Sequence, residues 1–460
     1  MFTICRRWSF LMCCLAIFIF ILQGIFVIYL LEDFELQQLS SNIQLADDDR
    51  EKWHNKYPII LWWTPFTGET GRVRQCGLDK CFFTQNRNYV NNNLLQVILF
   101  YGSDFNPLDL PLPRKSNHDW GLLHEESPKN NFFFCFKEGM ELFNYTATFK
   151  RESDFPLTLQ YLDSLESLTD HKYFKSTSQK DKELKKLSPV VYVQSDCNTP
   201  SERDAYVKKL MKYIKIDSYG KCLHNKDLPK RLSDPVESMD NEEFWEILSR
   251  YKFSLAFENA VCDDYITEKL WRPLTVGSVP IYYGSPSIKD WLPHSNSVIL
   301  ATDFNSPKHL ADYIHFLNSN KTAYELHLHH KLYKEITNNL LIRTMKNRNW
   351  GINNDFEKGN FIEQFECFVC KRINENLRAK QSTMIPIARQ ATVSHYGCPR
   401  PTSPLKNKLM VPSWWIELYD KSKYEVIALR QLMNEYSNFT EKIYHQRVIK
   451  LLKSKYLKNL

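Results

Sequence analysis

Glycine is scarce, 13 residues in 460. No glycine-rich loop of the kind that cradles a phosphate stands in the chain, so a bound phosphate has to be held in some other way. Long apolar runs are scarcer still. One exists, "SFLMCCLAIFIFILQGIFVIYLL" at residues 9–31, and a single run excludes a multi-pass transporter. A strong excess of one charge is also missing: the net charge is +7, which reads as solubility and does not point to nucleic acid. Internal repeats are absent. Cys367-Phe-Val-Cys370 is a lone CxxC, and without a second pair at metal spacing it points to a local disulfide, not a zinc site.

What is present is the composition of a packed protein, 43% hydrophobic and 14% aromatic, long enough for two or three domains. The apolar run carries no charge and would reach about 34 Å as a helix, enough to cross a bilayer core. Arg6 and Arg7 precede it; Glu32, Asp33 and Glu35 follow. The positive-inside rule then predicts a retained type II anchor with everything beyond residue 31 in a lumen. Nine of the twelve cysteines lie on that side. In an oxidising lumen they default to disulfides, and the odd number leaves at least one thiol over. Asn144, Asn320 and Asn438 head N-glycosylation sequons.

Along the rest of the chain, short apolar runs alternate with segments of helical length, which predicts parallel sheets in an α/β fold. "LLQVILFYGSDF" and "FFFCF" read as strands. The Lys-rich stretch 168–189 reads as a linker, and "VVYVQSDC" restarts the strand pattern ahead of a helix through "SERDAYVKKLMKYI". The division that follows is a tail 1–8, an anchor 9–31, a stem 32–55, a first lobe 56–167, the linker, a second lobe 190–375 and an extension 376–460. The basic end of that extension is expected to pack as a helix on its Ile/Leu face. His327, His329 and His330 are expected on a solvated face.

The densest polar stretch is "FENAVCDDYITEKLWRP", residues 257–273. "FSLAFEN" before it and "VPIYYG" after it read as strands, and "ITEKLWRPLTVG" as a helix ending near Gly277: a βαβ unit. Its polar cluster falls in the βα turn, where open α/β sheets bind ligands. The free N–H groups of the helix start, with Lys269, suit a diphosphate; Glu258 and Glu268 suit sugar hydroxyls, and Tyr265 suits stacking or hydrogen bonding. The plainer alternative is that Asp263 or Asp264 caps the helix.

The stretch "YKFSLAFENAVCDDYITEKLWRPLTVGSVPIYYGSPSIKDWLP" closely resembles the donor-binding signature of the alpha-1,3-fucosyltransferase family. "ILWWTPF", "CGLDKCFFTQNR", "LPLPRKSNHDWGLLHEESPKN", "FNYTATFKRESDFP", "VVYVQSDCNTPSERDAY", "IDSYGKC" and "CFVC" resemble other family segments in the same order, over about residues 57–372. The resemblance implies two facing Rossmann-like lobes (GT-B type) behind a single N-terminal transmembrane helix, with the first lobe on the acceptor side and the second binding GDP-fucose. It places Asn259, Tyr265, Glu268 and Lys269 on donor-binding positions, Arg203 on the diphosphate-binding arginine and Glu126 on the catalytic base. Glu258, Asp264 and Arg272 are supports, and His118 and His124 flank the base as loop residues. Cys76, Cys81, Cys367 and Cys370 are the disulfide candidates. No Asp-x-Asp motif lies near the donor stretch, so no metal or other cofactor is implied beyond the donor substrate.

One carboxylate base with no second nucleophile implies inversion. The segments "FKRESDFPLTLQY" and "HDWGLLHEESPKN" and the C-terminal extension depart from the Lewis-type members. They resemble the divergent branch (fucosyltransferases ten and eleven) associated with O-fucosylation of EMI-type protein domains. The acceptor implied is then a Ser or Thr hydroxyl of a secretory protein, in the endoplasmic reticulum or Golgi membrane. The alternatives are alpha-1,3 transfer to N-acetylglucosamine of N-glycans and a catalytically silent, lectin-like or chaperone-like luminal protein.

Overall fold

Two parallel sheets organise the chain in the computed structural model, which describes residues 56–66, 71–232, 234, 238, 241–352, 358–382, 384–405, 414–436 and 438–458. The expected anchor and stem lie outside the described residues. Among those described, no helix is long and apolar enough to cross a membrane.

The first sheet holds β1 (Ile59–Thr64), β2 (Arg72–Cys76), β3 (Asp79–Thr84), β4 (Leu95–Tyr101), β5 (Asp119–His124), β6 (Tyr145–Thr148) and β7 (Phe155–Pro156), in the order β2-β3-β1-β4-β5-β6-β7. Only the β2–β3 pairing is antiparallel. The second sheet holds β8 (Val190–Val193), β9 (Ile216–Tyr219), β10 (Phe253–Phe257), β11 (Val279–Tyr283) and β12 (Ile299–Leu300), all parallel, in the order β12-β11-β10-β8-β9. Strands such as "VILFY" and "FSLAF" are buried along their length because both faces of a parallel sheet are covered. "FFFCF" departs from the strand expected of it: Phe132–Cys135 is a 3-10 turn that puts all three rings into the core beneath β4 and β5.

The helix Phe361–Gln381 does not stay with the second lobe. Its Phe365, Val369, Cys370 and Ile373 pack on one face of the first sheet against Trp62, Leu99 and Tyr145. The CxxC lies within this helix, so both sulfurs face the β2–β3 hairpin. They bond across it, Cys76–Cys367 and Cys81–Cys370, in place of the local bridge expected. Cys197–Cys222 and Cys262–Cys398 are also bonded, and Cys135 is left as a buried thiol.

The Lys-rich stretch is not an open linker. Ser176 and Gln179 form a capping box that starts the helix Thr177–Glu183. Lys180 on that helix is fully buried, its ammonium donating to the Tyr251 and Gly277 carbonyls at 2.9 and 2.5 Å. His327 and His330 are likewise buried, held by the Asn296 and Leu274 carbonyls rather than by water. The helices Trp414–Glu435 and Glu441–Lys458 pack on each other, and Trp415, Leu429, Leu432, Tyr444 and Val448 join the first-lobe core. The basic tail therefore packs as a helix, but through Tyr444 and Val448 with Leu451 and Leu452 partly buried, while Ile443 and Ile449 of the expected Ile/Leu face stay exposed.

Candidate active site

The carboxyl ends of β5 and β10 bring the chemistry together. β5 ends in the fully buried His124, a strand residue and not a loop one. Glu125 and Glu126 follow directly. β10 ends at Phe257, the turn 258–267 follows, and the helix Glu268–Val276 begins. Thr267 caps that helix through Lys269 N–H, and Gly277 closes it at φ 69°, a backbone that favours glycine. The cap is therefore neither Asp263 nor Asp264.

Glu126 is half-buried and feels Lys269 and Glu268 from the opposite lobe. Burial raises its carboxyl above the ordinary range; Glu268 adds to that, while Lys269 and Lys129 pull it back. Lys269 Nζ holds Glu268 Oε1 at 2.8 Å. Burial opposes ionisation of Glu268, but Lys269 and Arg272 outweigh it and bring its carboxyl down to about 2. An ionised Glu268–Lys269 pair at a helix start thus faces a carboxylate of raised basicity. Glu125, buried beside Glu126, is pushed up to about 7 by burial and by that neighbour's charge, and Tyr101 Oη donates to it at 3.1 Å.

Two predicted residues carry orphaned polar atoms. Asn259 Oδ1 and Arg203 Nε are buried without a hydrogen-bond partner, as groups awaiting a polar ligand would be. The other Arg203 nitrogens donate to the Phe257 and Asp196 carbonyls at 2.9 and 2.7 Å. Arg203 thereby ties the loop after β8 to the end of β10.

Other predicted residues serve the frame. Glu258, read as a partner for sugar hydroxyls, is fully buried and spends both oxygens on Thr267, at 2.8 Å to its N–H and 2.7 Å to its hydroxyl. Tyr265 is buried with its ring edge-on to Phe149 of the first lobe, centroids 5.1 Å apart, so it wedges the lobes. Arg272 lies over Phe244 at 5.2 Å. Asn144 is spent as well: its oxygen accepts from Arg114 and Trp120, and its nitrogen donates to the Arg389 carbonyl. A glycan on that nitrogen would displace the extension, which counts against this sequon. Asn438 is exposed, and Asn320 caps the helix Lys321–Glu325.

Sequence reasoning missed the contacts that close the lobes on each other. Arg151 clasps Asp264 and also meets Asp290 at 2.8 Å. Lys129 pairs with Asp196, and Lys150 approaches Asp263 at 3.9 Å. It also missed Glu125, for which the acidic doublet at a strand end was a usable signal, and Tyr396, for which no local signal exists.

Two α/β lobes with a carboxylate of raised basicity at a strand end of one and a Glu268–Lys269 pair at a helix start of the other form a site suited to group transfer from an anionic donor. A family model described as "Fucosyltransferase, N-terminal" matches residues 55–160, and one described as "Glycosyltransferase family 10 (fucosyltransferase) C-term" matches residues 182–388. The chain belongs to the glycosyltransferase family 10 fucosyltransferases. It is similar to the Homo sapiens GDP-fucose protein O-fucosyltransferase 3, 49% identical over 88% of this chain and 86% of that one, and to the Gallus gallus protein of the same name, 48% identical over 90% and 88%. Among solved structures, an alpha1,3-fucosyltransferase with GDP is 20% identical, with a TM-score of 0.40 over 70% of this chain and 92% of that one.

Proposed function

We propose that the chain is an inverting fucosyltransferase that moves L-fucose from GDP-β-L-fucose to a Ser or Thr hydroxyl of a folded, disulfide-bonded secretory domain of EMI type. The observation that carries the reading is the placement of Glu126 opposite Glu268 and Lys269, in a chain about half identical to proteins named as GDP-fucose protein O-fucosyltransferases. Those names favour a protein acceptor over N-acetylglucosamine. The retained set of Glu126, Asn259, Glu268 and Lys269 speaks against a silent protein.

In the reaction, Glu126 takes the proton of the acceptor hydroxyl as its oxygen attacks the fucose anomeric carbon. The bond from that carbon to the β-phosphate oxygen breaks on the opposite face, and GDP leaves with the electron pair. Lys269 and the N–H groups of the helix start stabilise the charge that grows on the diphosphate. Attack opposite the leaving group turns the β-linked donor into an α-linked product.

Anchoring by residues 9–31 in the endoplasmic reticulum or Golgi membrane belongs to the same proposal. Four disulfides support an oxidising compartment. The test is GDP release by the full-length protein with GDP-fucose and either a folded EMI-type domain or an N-acetylglucosamine-terminated glycan. Release that needs the folded domain and disappears in Glu126→Gln supports the proposal; release that needs the glycan overturns the acceptor.

A further inference from the structure

The segment 389–398 binds both halves of the active site, although neither the donor motif nor the base motif includes it. On the first lobe, Ala391 N–H donates to the Phe143 carbonyl at 2.9 Å, Thr148 Oγ1 donates to the His395 carbonyl, and His395 Nδ1 shares a hydrogen bond with Thr146 Oγ1 at 2.8 Å. These contacts lay the segment along the end of β6. Tyr396 comes next and is fully buried. Its hydroxyl donates to the backbone carbonyl of Glu126 at 3.0 Å. Two residues later Cys398 is bonded to Cys262, in the turn that leads to Glu268 and Lys269. Gly397 between them sits at φ 37°, and a Cβ there would fall 2.3 Å from the Val393 carbonyl oxygen. The short path from Tyr396 to Cys398 is thus a tight turn that glycine alone accommodates.

The ring of Tyr396 is held as firmly as its hydroxyl. It stacks on His124, with centroids 5.1 Å apart and planes 21° apart, and lies against Phe149 and Phe134. His124 is itself closely packed, since a Cβ on Gly102 would come within 2.4 Å of its ring. Neither His124 ring nitrogen has a partner, so this histidine serves as a flat apolar plate. One side chain therefore packs on the residue two before the base and hydrogen-bonds the base's own carbonyl.

We propose that Tyr396 is a positioning residue for the Glu126 base: it fixes the Glu126 backbone, and through Gly397 and the Cys262–Cys398 bond it ties that backbone to the donor turn. The role rests on the transferase reading above. Misplacing a catalytic group by about 1 Å costs up to about 10²-fold in rate, so a contact of this kind has room to act without touching substrate.

The test uses the full-length protein and Tyr396→Phe, which keeps the ring and removes only the hydroxyl. We expect kcat for fucosyl transfer to fall about tenfold, with the GDP-fucose dissociation constant unchanged within twofold and the melting temperature nearly unchanged. An unaltered kcat overturns the proposal, as does a parallel loss of kcat, donor binding and thermal stability, which marks a merely structural residue. Amide hydrogen exchange is the second readout and needs no turnover. The amides of Glu125, Glu126 and Ser127 are expected to exchange at least tenfold faster in the variant while those of 253–257 keep their protection. Unchanged exchange at Glu125, Glu126 and Ser127 overturns the proposal even if the wild-type protein transfers no fucose, an outcome that would by itself sink the transferase reading.

Discussion

Arg151 and Asp264 join the two lobes through a two-pronged ion pair. Arg151 Nε lies 2.8 Å from Oδ2, and a terminal nitrogen lies 2.5 Å from Oδ1. The Arg151 backbone N–H adds a third bond to Oδ2 at 3.1 Å, and the guanidinium rests over Trp291, whose indole N–H also donates to Asp264. Asp264 adopts φ 63°, a left-handed backbone held by Ser285 and Ser287, whose hydroxyls accept from its N–H. A motif residue that looked like a donor-site support is the latch between the lobes.

Asp264→Asn is expected to destabilise the protein by about 3 kcal/mol, the low end for breaking a buried pair because Arg151 keeps some solvent contact. The sign with pH follows from the carboxyl. Burial raises it, but the bonds from Arg151, Trp291 and Ser287 outweigh burial and hold it below its ordinary value. Its stabilisation is complete above the unfolded value near about 4 and is lost as pH falls through the lower folded value. Urea denaturation of both proteins at pH 7 and pH 3 checks this: the gap between them should narrow at the lower pH.

Glu126→Gln should lower turnover by about 10²- to 10⁴-fold while GDP-fucose still binds. In the wild-type protein the base must be ionised, and its carboxyl sits above the ordinary range. The rate should therefore rise with pH through that value and then level off. GDP release across pH 4 to 8 reads both effects; an active glutamine variant would remove Glu126 as the base.

Lys129→Met removes a positive charge that favours ionised Glu126, so the acid limb of the rate profile should move to higher pH, by less than about one unit. Asp196→Asn breaks the same ion pair but leaves the lysine charge in place. Its limb should stay put or move the other way. Matching shifts in the two variants would show that the ion pair, not the charge, is what matters.

Glu258→Ala leaves Thr267 N–H without its acceptor at the helix start and is expected to cost about 1–3 kcal/mol. Loss of donor affinity greater than the loss of stability would restore Glu258 as a ligand contact. Calorimetry with GDP beside thermal melts separates the two.

Peptide mapping without reduction should recover Cys76 linked to Cys367 and Cys81 linked to Cys370, with no Cys367–Cys370 bridge. Each crosslink closes a loop of nearly 300 residues, 291 and 289 apart in sequence, worth about 6 kcal/mol in the chain-entropy view. Because the two loops nearly coincide, removing one pair should cost far less than removing both, as denaturation of the single- and double-pair variants would show.

The part of the site legible in the sequence is the part built within a few turns of chain. The β10–turn–helix–β11 unit, its end at Gly277 and the placement of Glu268 and Lys269 in the first helical turn follow from local periodicity, although the cap is Thr267 and neither aspartate. The choice of Glu126 as base rests on resemblance, since one acidic doublet at a strand end does not say which member faces the cleft. The roles of the remaining residues were not legible, for one cause. Glu258, Tyr265, Asp264 and Arg203 are polar or aromatic residues beside a ligand turn, and such side chains serve equally well to hold a ligand, to satisfy a buried backbone or to wedge two lobes.

By itself the sequence determined the alternation of strand and helix, the two-lobed α/β plan and the position of the polar turn, because apolar spacing and helix ends act over a few residues. Tertiary structure alone decided which side chains from distant segments meet there: the Arg151–Asp264 latch, the Cys76–Cys367 and Cys81–Cys370 crosslinks, and Tyr396 on the Glu126 carbonyl, 270 residues away. Such contacts depend on how two finished sheets dock, and no short-range pattern in the chain carries that information.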